Sequence, residues 1–421
     1  MKNNFFWIAA FALFIFSCRS NKSETEEIKS TAETITLPPG FHSTVLADTV
    51  GSARHIAVSE NGVVYVKLDN HNPGRSILRL IDTNKDGVAD NITGFADYSG
   101  TGIAIGNGYL YASSNDKIYR YKLENGEVPS SPKEELIVQG LINHGQHAAK
   151  SLAIDDAGNI YVNIGAPSNG CQVEDRTPGS PGMSPCPILD SAGGIWQFKT
   201  DKLNQTYGDG LRYASGIRNM VALSWNKPAN DLYGVQHGKD DLDRLYPDLY
   251  TQEQRVELPA EEMFLITKGS DFGWPYCYYD HLQKKKVQSP EYGGDGKKTT
   301  GCNDKGQPIY AFPAHWAPNA LLFYTGSQFP EKYRNGAFIA FHGSWNRAPK
   351  EQAGYNVVFL PFKDGKPSGE YEVFADNFAG KEKTPNDAAH RPCGLAQGPD
   401  GSLYVSDDLH GRIWKITYKG K

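Results

Sequence analysis

One short phrase recurs along the 421-residue chain and constrains its fold more than any other feature. It consists of an apolar strand, a small polar turn and a second strand that reads Tyr-Val or Tyr-Ala. The clearest copies span 151–164 and 394–407, weaker ones begin at His55, Gly102 and Met220, and a degenerate copy covers 320–341. Repeated antiparallel hairpins of this kind are typical of a ring of blades. The sequence therefore predicts an all-β fold, a six-bladed β-propeller.

Composition excludes some classes of partner. A formal net charge of −5 and a pI near 6.1 offer no electrostatic basis for binding nucleic acid. Beyond the first residues, no stretch is apolar enough to span a bilayer. The 44 glycines and 25 prolines suit many short strands joined by tight turns.

The N-terminus has the pattern of an export signal. Lys2 precedes an apolar run over 5–16, and Ser17 and Cys18 follow that run. This pattern predicts a lipoprotein signal peptide over 1–17, a lipid anchor on Cys18, a disordered polar tether over 18–33 and the propeller over 34–421. A transmembrane anchor and an ordinary cleaved signal are the alternatives. Because Arg19 follows Cys18, we expect a bacterial cell-envelope protein in the outer membrane, facing the periplasm.

Five further cysteines stand in a chain whose export setting permits disulfides. Cys171 and Cys186 flank a loop rich in proline and glycine, and Cys277 and Cys302 flank a lysine-rich loop. We expect these two pairs to form disulfides, which leaves Cys393 free. A different pairing is the alternative.

Polar residues at the ends of the repeated strands are expected to meet at one mouth of the ring. Residues just before the first strand and just after the second strand of a hairpin lie at the same end. When the repeats are aligned on Leu152, Val221 and Leu395, this rule places His147, Arg218 and Arg391 there. The segments that follow second strands, 237–240, 342–347 and 407–408, join them.

The residue types at this mouth fit a planar anionic ligand and proton transfer. Arginine binds carboxylates in bidentate fashion, histidine serves as a base near neutral pH, and backbone carbonyls around Gly238 are suitable calcium ligands. Each residue also has a structural alternative: His147 as a surface or hydrogen-bonding side chain, and Arg218 and Arg391 as salt bridges between blades.

The mouth residues lie in a series of motifs that resemble one family. The motifs are Gly216-Ile217-Arg218-Asn219, Gln236-His237-Gly238, Asp271-Phe272-Gly273-Trp274-Pro275, HGSWNR over 342–347, and Arg391-Pro392-Cys393-Gly394-Leu395. In order and spacing, the chain from about 37 to 418 resembles the quinoprotein sugar dehydrogenases of the sorbosone dehydrogenase group, related to soluble quinoprotein glucose dehydrogenase. The resemblance implies a six-bladed propeller with pyrroloquinoline quinone (PQQ) and calcium on one face.

The resemblance also implies a role for each matching residue. His147 falls on the catalytic base, which takes the proton of the substrate hydroxyl while hydride passes to the quinone C5. Arg218 falls on an arginine that contacts the quinone and assists hydride acceptance, with Asn219 beside it. Gly238 and Lys239 fall on the positions whose carbonyls hold the cofactor calcium, although the second is proline in the glucose enzyme.

Other positions depart from the family pattern or match it less directly. Arg391 falls on a ligand of a cofactor carboxylate, but the second arginine found there in the glucose enzyme is Cys393 in this chain. A lysine that pairs with the cofactor has no clear match, and Arg347 is the candidate for its place. Trp316 is a candidate for stacking on sugar or quinone, with core packing as its alternative. The departures bear on cofactor affinity and not on the fold.

A second calcium site is predicted in an exposed loop. Asp82, Asn84, Asp86 and Asp90 have the spacing of a calcium-binding loop, although Thr93 stands at the twelfth position, where an EF-hand has glutamate. A plain turn rich in aspartate and glycine is the alternative.

The sequence thus favours a lipid-anchored enzyme that oxidises a sugar or related aldose through PQQ and calcium. It passes electrons to an external acceptor, because the C-x-x-C-H haem attachment motif is absent from the sequence. Two rivals stay open. One is a calcium-dependent hydrolase of the lactonase type, which requires carboxylate or asparagine ligands that converge at the axis. The other is a sugar-binding propeller without catalysis.

Overall fold

Six sheets follow one another along the chain and form the ring that the repeated hairpins predict. The computed structural model describes residues 1 and 35–420. The predicted signal peptide, the Cys18 anchor and the tether lie outside the described residues and stay predictions. None of the helices in the described part of the chain has the length and apolar content that a membrane crossing needs.

Each blade is an antiparallel sheet whose first strand faces the ring axis. Blade 1 comprises Ala53–Val58, Val64–Leu68, Ile77–Ile81 and Asn91–Phe95; blade 2 comprises Ile103–Gly106, Tyr109–Ser113, Ile118–Lys122 and Glu134–Gln139; blade 3 comprises Leu152–Ile154, Asn159–Ile164, Gly194–Lys199 and Leu211–Ser215. Blade 4 comprises Ala222–Asn226, Asp231–Gln236, Glu261–Ile266 and Tyr310–Phe312; blade 5 comprises Pro318–Phe323, Ala337–Phe341, Asn356–Leu360 and Glu372–Ala375; blade 6 comprises Pro392–Gln397, Leu403–Asp407, Ile413–Tyr418 and Phe41–Ala47.

Shorter elements decorate this ring. Gln205–Thr206 and Ser270–Asp271 add parallel edge strands to blades 2 and 3, and two small hairpins pair Cys277–Asp280 with Lys285–Gln288 and Phe362–Lys363 with Lys366–Pro367. The α-helices are Leu242–Leu245 and Gln252–Glu257, and the 3₁₀ helices are Pro187–Asp190, Tyr207–Asp209, Pro290–Tyr292 and Glu331–Tyr333.

The two ends of the propeller meet in blade 6. The strand Phe41–Ala47 pairs antiparallel with Ile413–Tyr418, so the first strand of the domain becomes the outer strand of the last blade. Closure of this kind stabilises a ring because it joins the two terminal segments through main-chain hydrogen bonds. Phe41 reinforces the junction from one face, since its ring packs edge-on against Phe329 and Phe374 of blade 5.

The hydrophobic core lies between neighbouring blades. Tyr233 and Met263 of blade 4, for example, pack with Leu321 and Ile339 of blade 5 in one buried cluster. A strand that is buried on both faces reads as a continuous apolar run, which is why the second strands of the blades contain almost no charged residues. This inter-blade packing holds the mouth ends of successive hairpins in fixed relative positions.

A tyrosine in five of the six blades marks a common register. Tyr65, Tyr111, Tyr161, Tyr233 and Tyr404 pair with Ala57, Ala104, Ala153, Ser224 and Ala396, so a large ring in the second strand faces a small residue in the first. This register corrects the alignment of blade 4. Leu223, and not Val221, is the counterpart of Leu152. Arg218 therefore precedes its reference leucine by five positions, as His147 does. A two-residue shift keeps every side chain on the same face.

Both predicted disulfides are confirmed. Cys171 is bonded to Cys186 and Cys277 to Cys302, and among residues 35–420 Cys393 is the free cysteine, fully buried. The two disulfide-closed loops pack against each other beside blade 4, where the Tyr292 hydroxyl donates a hydrogen bond to the Gly170 carbonyl.

Most carboxylate oxygens of the predicted calcium loop accept hydrogen bonds from within the loop, but Asp82 Oδ1 is buried and has no partner among the described residues. Asp90 accepts hydrogen bonds from the Thr83 backbone N–H at 2.7 Å, and Asp82 accepts one from Gly87 at 2.9 Å. Asn84 and Asp86 also bond within the loop. No group of three or more His, Cys, Asp or Glu side chains arranged to hold a metal occurs among residues 35–420. A structural calcium site in this loop stays a prediction, with the plain turn as its alternative.

Candidate active site

A cavity of about 300 Å³ opens at the end of the ring where the second strands finish. Its lining brings together His147, Arg218 and Gly238, which come from blades 3 and 4. Each lies just before a first strand or just after a second strand, as hairpin geometry requires. We refer to this space as the mouth cavity.

His147 is held as a neutral imidazole with one nitrogen free. Because a carbonyl only accepts, the short hydrogen bond between Nδ1 and the Ala166 carbonyl places the proton on Nδ1 and leaves a lone pair on Nε2. Burial, and then the nearby guanidinium of Arg218, lower the pKa of His147 to about 3. Gly165 permits this approach, since a Cβ there would lie 2.5 Å from His147 Cβ. The imidazole is therefore an available proton acceptor at neutral pH.

Arg218 is a buried guanidinium (4 % exposed) that joins two parts of the mouth cavity. Its Nη1 donates to the Gly238 carbonyl at 3.0 Å, and its Nη2 donates to Asp240 Oδ2 at 2.8 Å. Its Nε is buried, and no described residue accepts a hydrogen bond from it. An unpaired buried donor is costly unless a ligand satisfies it.

Asp240 is the counter-ion of this part of the cavity. Burial alone would raise the pKa of Asp240, but the guanidiniums of Arg218 and Arg176 hold it below its usual range. Arg176 Nη2 lies 3.0 Å from the carboxylate, and Asn169 clamps the Asp240 backbone with two hydrogen bonds of 2.9 Å. The carboxylate is thus ionised and fixed, and it holds both arginines in place.

Glu261 is a second carboxyl group in the mouth cavity, which the sequence prediction missed. It is 2 % exposed and accepts backbone N–H groups from Gly238 at 2.7 Å and Ala317 at 3.1 Å. Within the described chain, no Lys, Arg or His nitrogen forms an ion pair with it. Burial raises the pKa of Glu261 to about 8, although the two N–H groups act in the opposite direction.

Asn346 and His315 complete one wall. The Asn346 amide nitrogen lies 3.0 Å from Asp240 Oδ1 and 3.3 Å from His315 Nδ1, so both of its hydrogens have acceptors. His315 Nε2 donates to the carbonyls of Arg255 and Leu258, which leaves Nδ1 as the acceptor. These contacts fix the orientation of the amide, so Asn346 Oδ1 faces away from Asp240 and His315. That oxygen is buried and has no partner among the described residues.

Strained backbone marks the same cavity. His147, Arg176, His315 and Ala317 all line it, and their φ angles are 55°, 56°, 66° and 57°. Non-glycine residues rarely adopt this left-handed conformation, and each costs free energy that the surrounding packing must supply. Such clusters are characteristic of sites where side chains are held for a function.

Two further predicted residues support the mouth cavity without lining it. Asn219 is buried, and its Oδ1 accepts a hydrogen bond from Asn163 at 2.9 Å between blades 3 and 4. Lys239 points its side chain away from the mouth cavity, where its ammonium pairs with the Glu291 carboxylate in the disulfide-closed insertion. Only the backbone of Lys239 can face a ligand at the mouth.

Two predicted arginine contacts of the cofactor, Arg391 and Arg347, lie outside the cavity lining. Arg391 donates to the carbonyls of His342 and Gly343 at 3.0 Å, beneath the loop that carries Asn346. Arg347 donates to the carbonyls of Val256 and Ala314 at 2.9 Å.

The predicted stacking residue Trp316 is partly buried and packs against the hydrophobic core, where its ring lies 5.3 Å from Phe341. The exposed aromatic ring at the mouth cavity is instead Trp345, at 56 % exposure. Both tryptophans directly follow a polar residue, His315 and Ser344, so the neighbouring residue types alone did not distinguish them. The HGSWNR motif was the available signal, but it drew attention to Arg347.

Acid should destabilise the fold through its buried histidines. Burial and then Arg54 lower the pKa of His55 to about 4, and His147 is lowered to about 3. In the unfolded chain both imidazoles take up protons near pH 6.5, so below that pH the unfolded state binds more protons. The contribution of these two neutral imidazoles to the free energy of unfolding is complete above pH 6.5 and is lost as pH falls towards 4. We expect the melting temperature to fall across this window, with a shallower slope in His55→Gln. An unchanged slope in that variant would contradict the assignment.

Comparison with known proteins identifies one family whose model matches most of the chain. A family described as TrAA12-like matches residues 35–419. A protein of Borreliella burgdorferi described as uncharacterized is 28% identical over 96% of both chains. A PQQ-dependent pyranose dehydrogenase of Coprinopsis cinerea is 26% identical over 73% of this chain and 44% of its own length. The chain thus spans less than half of that dehydrogenase.

A solved structure supports the fold. The calcium structure of the Trichoderma reesei Carbohydrate-Active Enzymes family AA12 protein superimposes with a TM-score of 0.74 and covers 94% of this chain and 100% of its own, at 19% identity. At 19% identity, this similarity establishes the six-bladed propeller fold alone. The chemistry of the mouth cavity has to be inferred from the residues of this chain.

Proposed function

Because the chain belongs to the TrAA12-like family, we propose that it is a PQQ-dependent dehydrogenase that oxidises a sugar and passes electrons to an external acceptor. One observation carries the proposal. The mouth cavity combines a neutral imidazole with a free Nε2, on His147, and a buried guanidinium with an unpaired Nε, on Arg218. The first group accepts a proton and the second binds an anion.

The residues at the mouth fit a planar polyanion. PQQ carries three carboxylates, and the free Nε–H of Arg218 is a charge-assisted donor for an acidic or carbonyl oxygen. The exposed indole of Trp345 offers a flat apolar surface beside it. We therefore assign Arg218 and Trp345 as the residues of this cavity that would hold the cofactor. When bound, PQQ supplies the quinone that accepts two electrons from the substrate.

His147 is the base in this proposal. A sugar hydroxyl placed at Nε2 loses its proton to the imidazole, which makes the hydrogen on the same carbon a better hydride donor. The Ala166 carbonyl keeps the proton on Nδ1 before the transfer and accepts the same N–H once the ring carries both protons. Arg218 favours the neutral imidazole before the reaction, because it lowers the pKa of His147.

Reconstitution tests the proposal. We expect apoprotein incubated with PQQ and Ca²⁺ to quench tryptophan fluorescence saturably and to reduce a redox dye when an aldose is added. Omission of PQQ should abolish dye reduction, and chelation of calcium should lower it. Absence of binding at micromolar PQQ would refute the proposed cofactor. Binding without turnover across a panel of pyranoses, furanoses and polyols would favour a sugar- or cofactor-binding propeller instead.

One observation favours a second candidate, the calcium-dependent lactonase-type hydrolase. Glu261 and Asn346 bring a carboxylate and an amide oxygen to the mouth cavity, and such oxygens are ligands of a hydrolytic calcium ion. The same apoprotein, loaded with calcium and without PQQ, should then hydrolyse sugar lactones. Dye reduction that depends on PQQ, with no lactone hydrolysis, would exclude this candidate.

The cellular setting forms part of the proposal. A lipid anchor on Cys18 would keep the propeller at the bacterial cell envelope, where an external acceptor takes the electrons. The sequence pattern of residues 1–18 supports it. The intact mass of the mature protein should include a diacylglyceryl group on Cys18, and a mature protein without lipid would contradict the anchor.

A further inference from the structure

A second cavity opens on the face of the ring opposite the mouth. Its volume is about 500 Å³, which is typical of small-molecule sites. First strands begin at the mouth, so Ala222–Asn226 of blade 4 ends on the opposite face, and its partner Asp231–Gln236 begins there. The loop that follows Asn356–Leu360 of blade 5 lies at the same end. We refer to this space as the far-face cavity, whose polar lining side chains are Asn226, Asp231, Asn335, Lys363 and Asp364.

The fold does not use the polar side chains of this lining. None of the five forms a hydrogen bond or an ion pair with another described residue. Asn226 is the most informative of them, because it is 5 % exposed. A polar group buried to this extent normally has a hydrogen-bond partner, and its lack of one costs free energy. An unpartnered amide that lines a cavity therefore indicates a ligand that completes its hydrogen bonds.

Polar side chains elsewhere on this face pair with one another. In blade 3, Asn159 donates to Asp155 at 2.6 Å and accepts from Lys199 at 2.7 Å. In a smaller cavity between blades 1 and 2, Asn61 donates to the Asn125 carbonyl at 2.7 Å. The same residue types stand unpaired in the far-face cavity, so their donors and acceptors remain for a bound molecule.

Packing between blades 4 and 5 holds the walls of the far-face cavity. The Tyr233 hydroxyl donates to the Gly365 carbonyl at 2.7 Å, which fixes the small hairpin of residues 362–367 against blade 4. Phe362 lines the cavity and packs edge-on against Tyr233 and Phe323 at 5.9 and 5.1 Å. A site that is formed in advance spends little binding free energy on ordering its own side chains.

The lining suits an uncharged molecule that carries several hydroxyl groups. Asparagine amides donate and accept, aspartates accept and lysine donates, and a hydroxyl can serve as the partner of each. The carboxylates of Asp231 and Asp364 exceed the single ammonium of Lys363, which disfavours an anionic ligand. That ammonium in turn disfavours a metal ion. Phe362 adds an apolar ring surface for the C–H groups of the ligand.

We propose that the far-face cavity binds a neutral saccharide unit through the Asn226 amide and the Asp231 carboxylate, with Phe362 against the C–H groups of the sugar ring. Asn226 and Asp231 are cross-strand partners in blade 4. Residues directly opposite in an antiparallel pair project to the same side of the sheet, so the two side chains can hold neighbouring hydroxyls. The site is separate from oxidation at the mouth, and the inference does not rest on the proposed function.

Saccharide binding by apoprotein without PQQ tests the inference. Saturation-transfer NMR and calorimetry with glucose, xylose, cellotriose and xylotriose give the affinities. We expect saturable binding of at least one of them. Asn226→Leu and Asp231→Asn should each weaken it by roughly three- to tenfold, the effect of a lost hydrogen bond. Without sugar, the melting temperature of Asn226→Leu should equal or exceed that of the wild type, because leucine removes an unpartnered buried amide.

Controls separate the possible outcomes. Asn61→Leu, in the cavity between blades 1 and 2, should leave saccharide affinity unchanged; weaker binding in this variant alone would place the sugar there and overturn the inference. Asp231→Asn keeps the shape of a half-buried side chain, so its affinity reports the site independently of stability.

Other results would also overturn the inference. A lower melting temperature in Asn226→Leu would show that the fold uses the amide. Binding that survives both cavity variants and is displaced by PQQ would belong to the mouth cavity. Absence of binding across the panel, or binding of spermidine instead of sugar, would exclude a saccharide site. Saccharide binding in a protein that ignores PQQ would support the inference while refuting the proposed function.

Discussion

Replacement of His147 by asparagine should lower the rate of sugar-dependent dye reduction by about 10²–10⁴-fold, the usual contribution of a general base. Asparagine tolerates the left-handed backbone at this position (φ 55°) and can still donate to the Ala166 carbonyl. It lacks only the basic Nε2. PQQ affinity, measured by fluorescence quenching, should stay within a few-fold of the wild type, so the loss should appear in kcat.

A matched variant makes this result interpretable. His42 is exposed on the outer strand of blade 6, and His42→Asn should leave both turnover and PQQ affinity unchanged. Undiminished turnover in His147→Asn would remove His147 from the mechanism. The remaining mouth imidazole with a free Nδ1 would then be His237, whose Nε2 donates to the Pro318 carbonyl at 2.8 Å.

Asp240→Asn should destabilise the protein by about 3–5 kcal/mol, because removal of one partner from a buried ion pair leaves uncompensated charge. Two guanidiniums depend on this carboxylate, Arg218 at 2.8 Å and Arg176 at 3.0 Å. Urea denaturation followed by tryptophan fluorescence gives the free energy of unfolding. The shape of the side chain is nearly kept, so the loss reports charge and not packing.

Two comparisons test the cause. Lys332→Gln removes one partner of an exposed pair with Glu372, and its cost should be within about 1 kcal/mol. The double variant Asp240→Asn with Arg218→Met should be less destabilised than the sum of the single changes, because it removes both buried charges. Strict additivity, or an Asp240→Asn cost as small as that of Lys332→Gln, would show that the ion pair does not hold the mouth together.

These two variants test two linked parts of the mouth cavity, the ion pairs of Asp240 and the proposed base His147. Asp240 holds Arg218, and Arg218 in turn lowers the pKa of His147. Loss of Asp240 is therefore expected to disturb cofactor binding together with stability, whereas loss of His147 is expected to affect turnover alone. The separation follows from position. Asp240 forms hydrogen bonds with Arg176, Arg218, Asn169 and Asn346, while His147 bonds through one ring nitrogen and leaves the other for substrate.

Local patterns in the sequence predicted the blades correctly. The Tyr-Val strands, the number of repeats and the two disulfides depend on residues that lie close together along the chain. Cys171 and Cys186 are separated by 15 residues, and Cys277 and Cys302 by 25. The register of blade 4 was wrong by two residues, because Val221 and Leu223 are equally apolar and only the pairing of Ser224 with Tyr233 distinguishes them.

The repeated hairpin also determined which end of the ring to examine, since strand ends in successive blades share one mouth. His147, Arg218 and Gly238 were therefore predicted together from sequence alone. What only the tertiary structure decided is which neighbours face inward: Glu261 and Trp345 line the cavity, whereas Trp316 packs against the core between blades. The physical reason is that hydrogen-bonded hairpins are encoded locally, while the direction of a loop side chain depends on packing between blades that are distant in sequence.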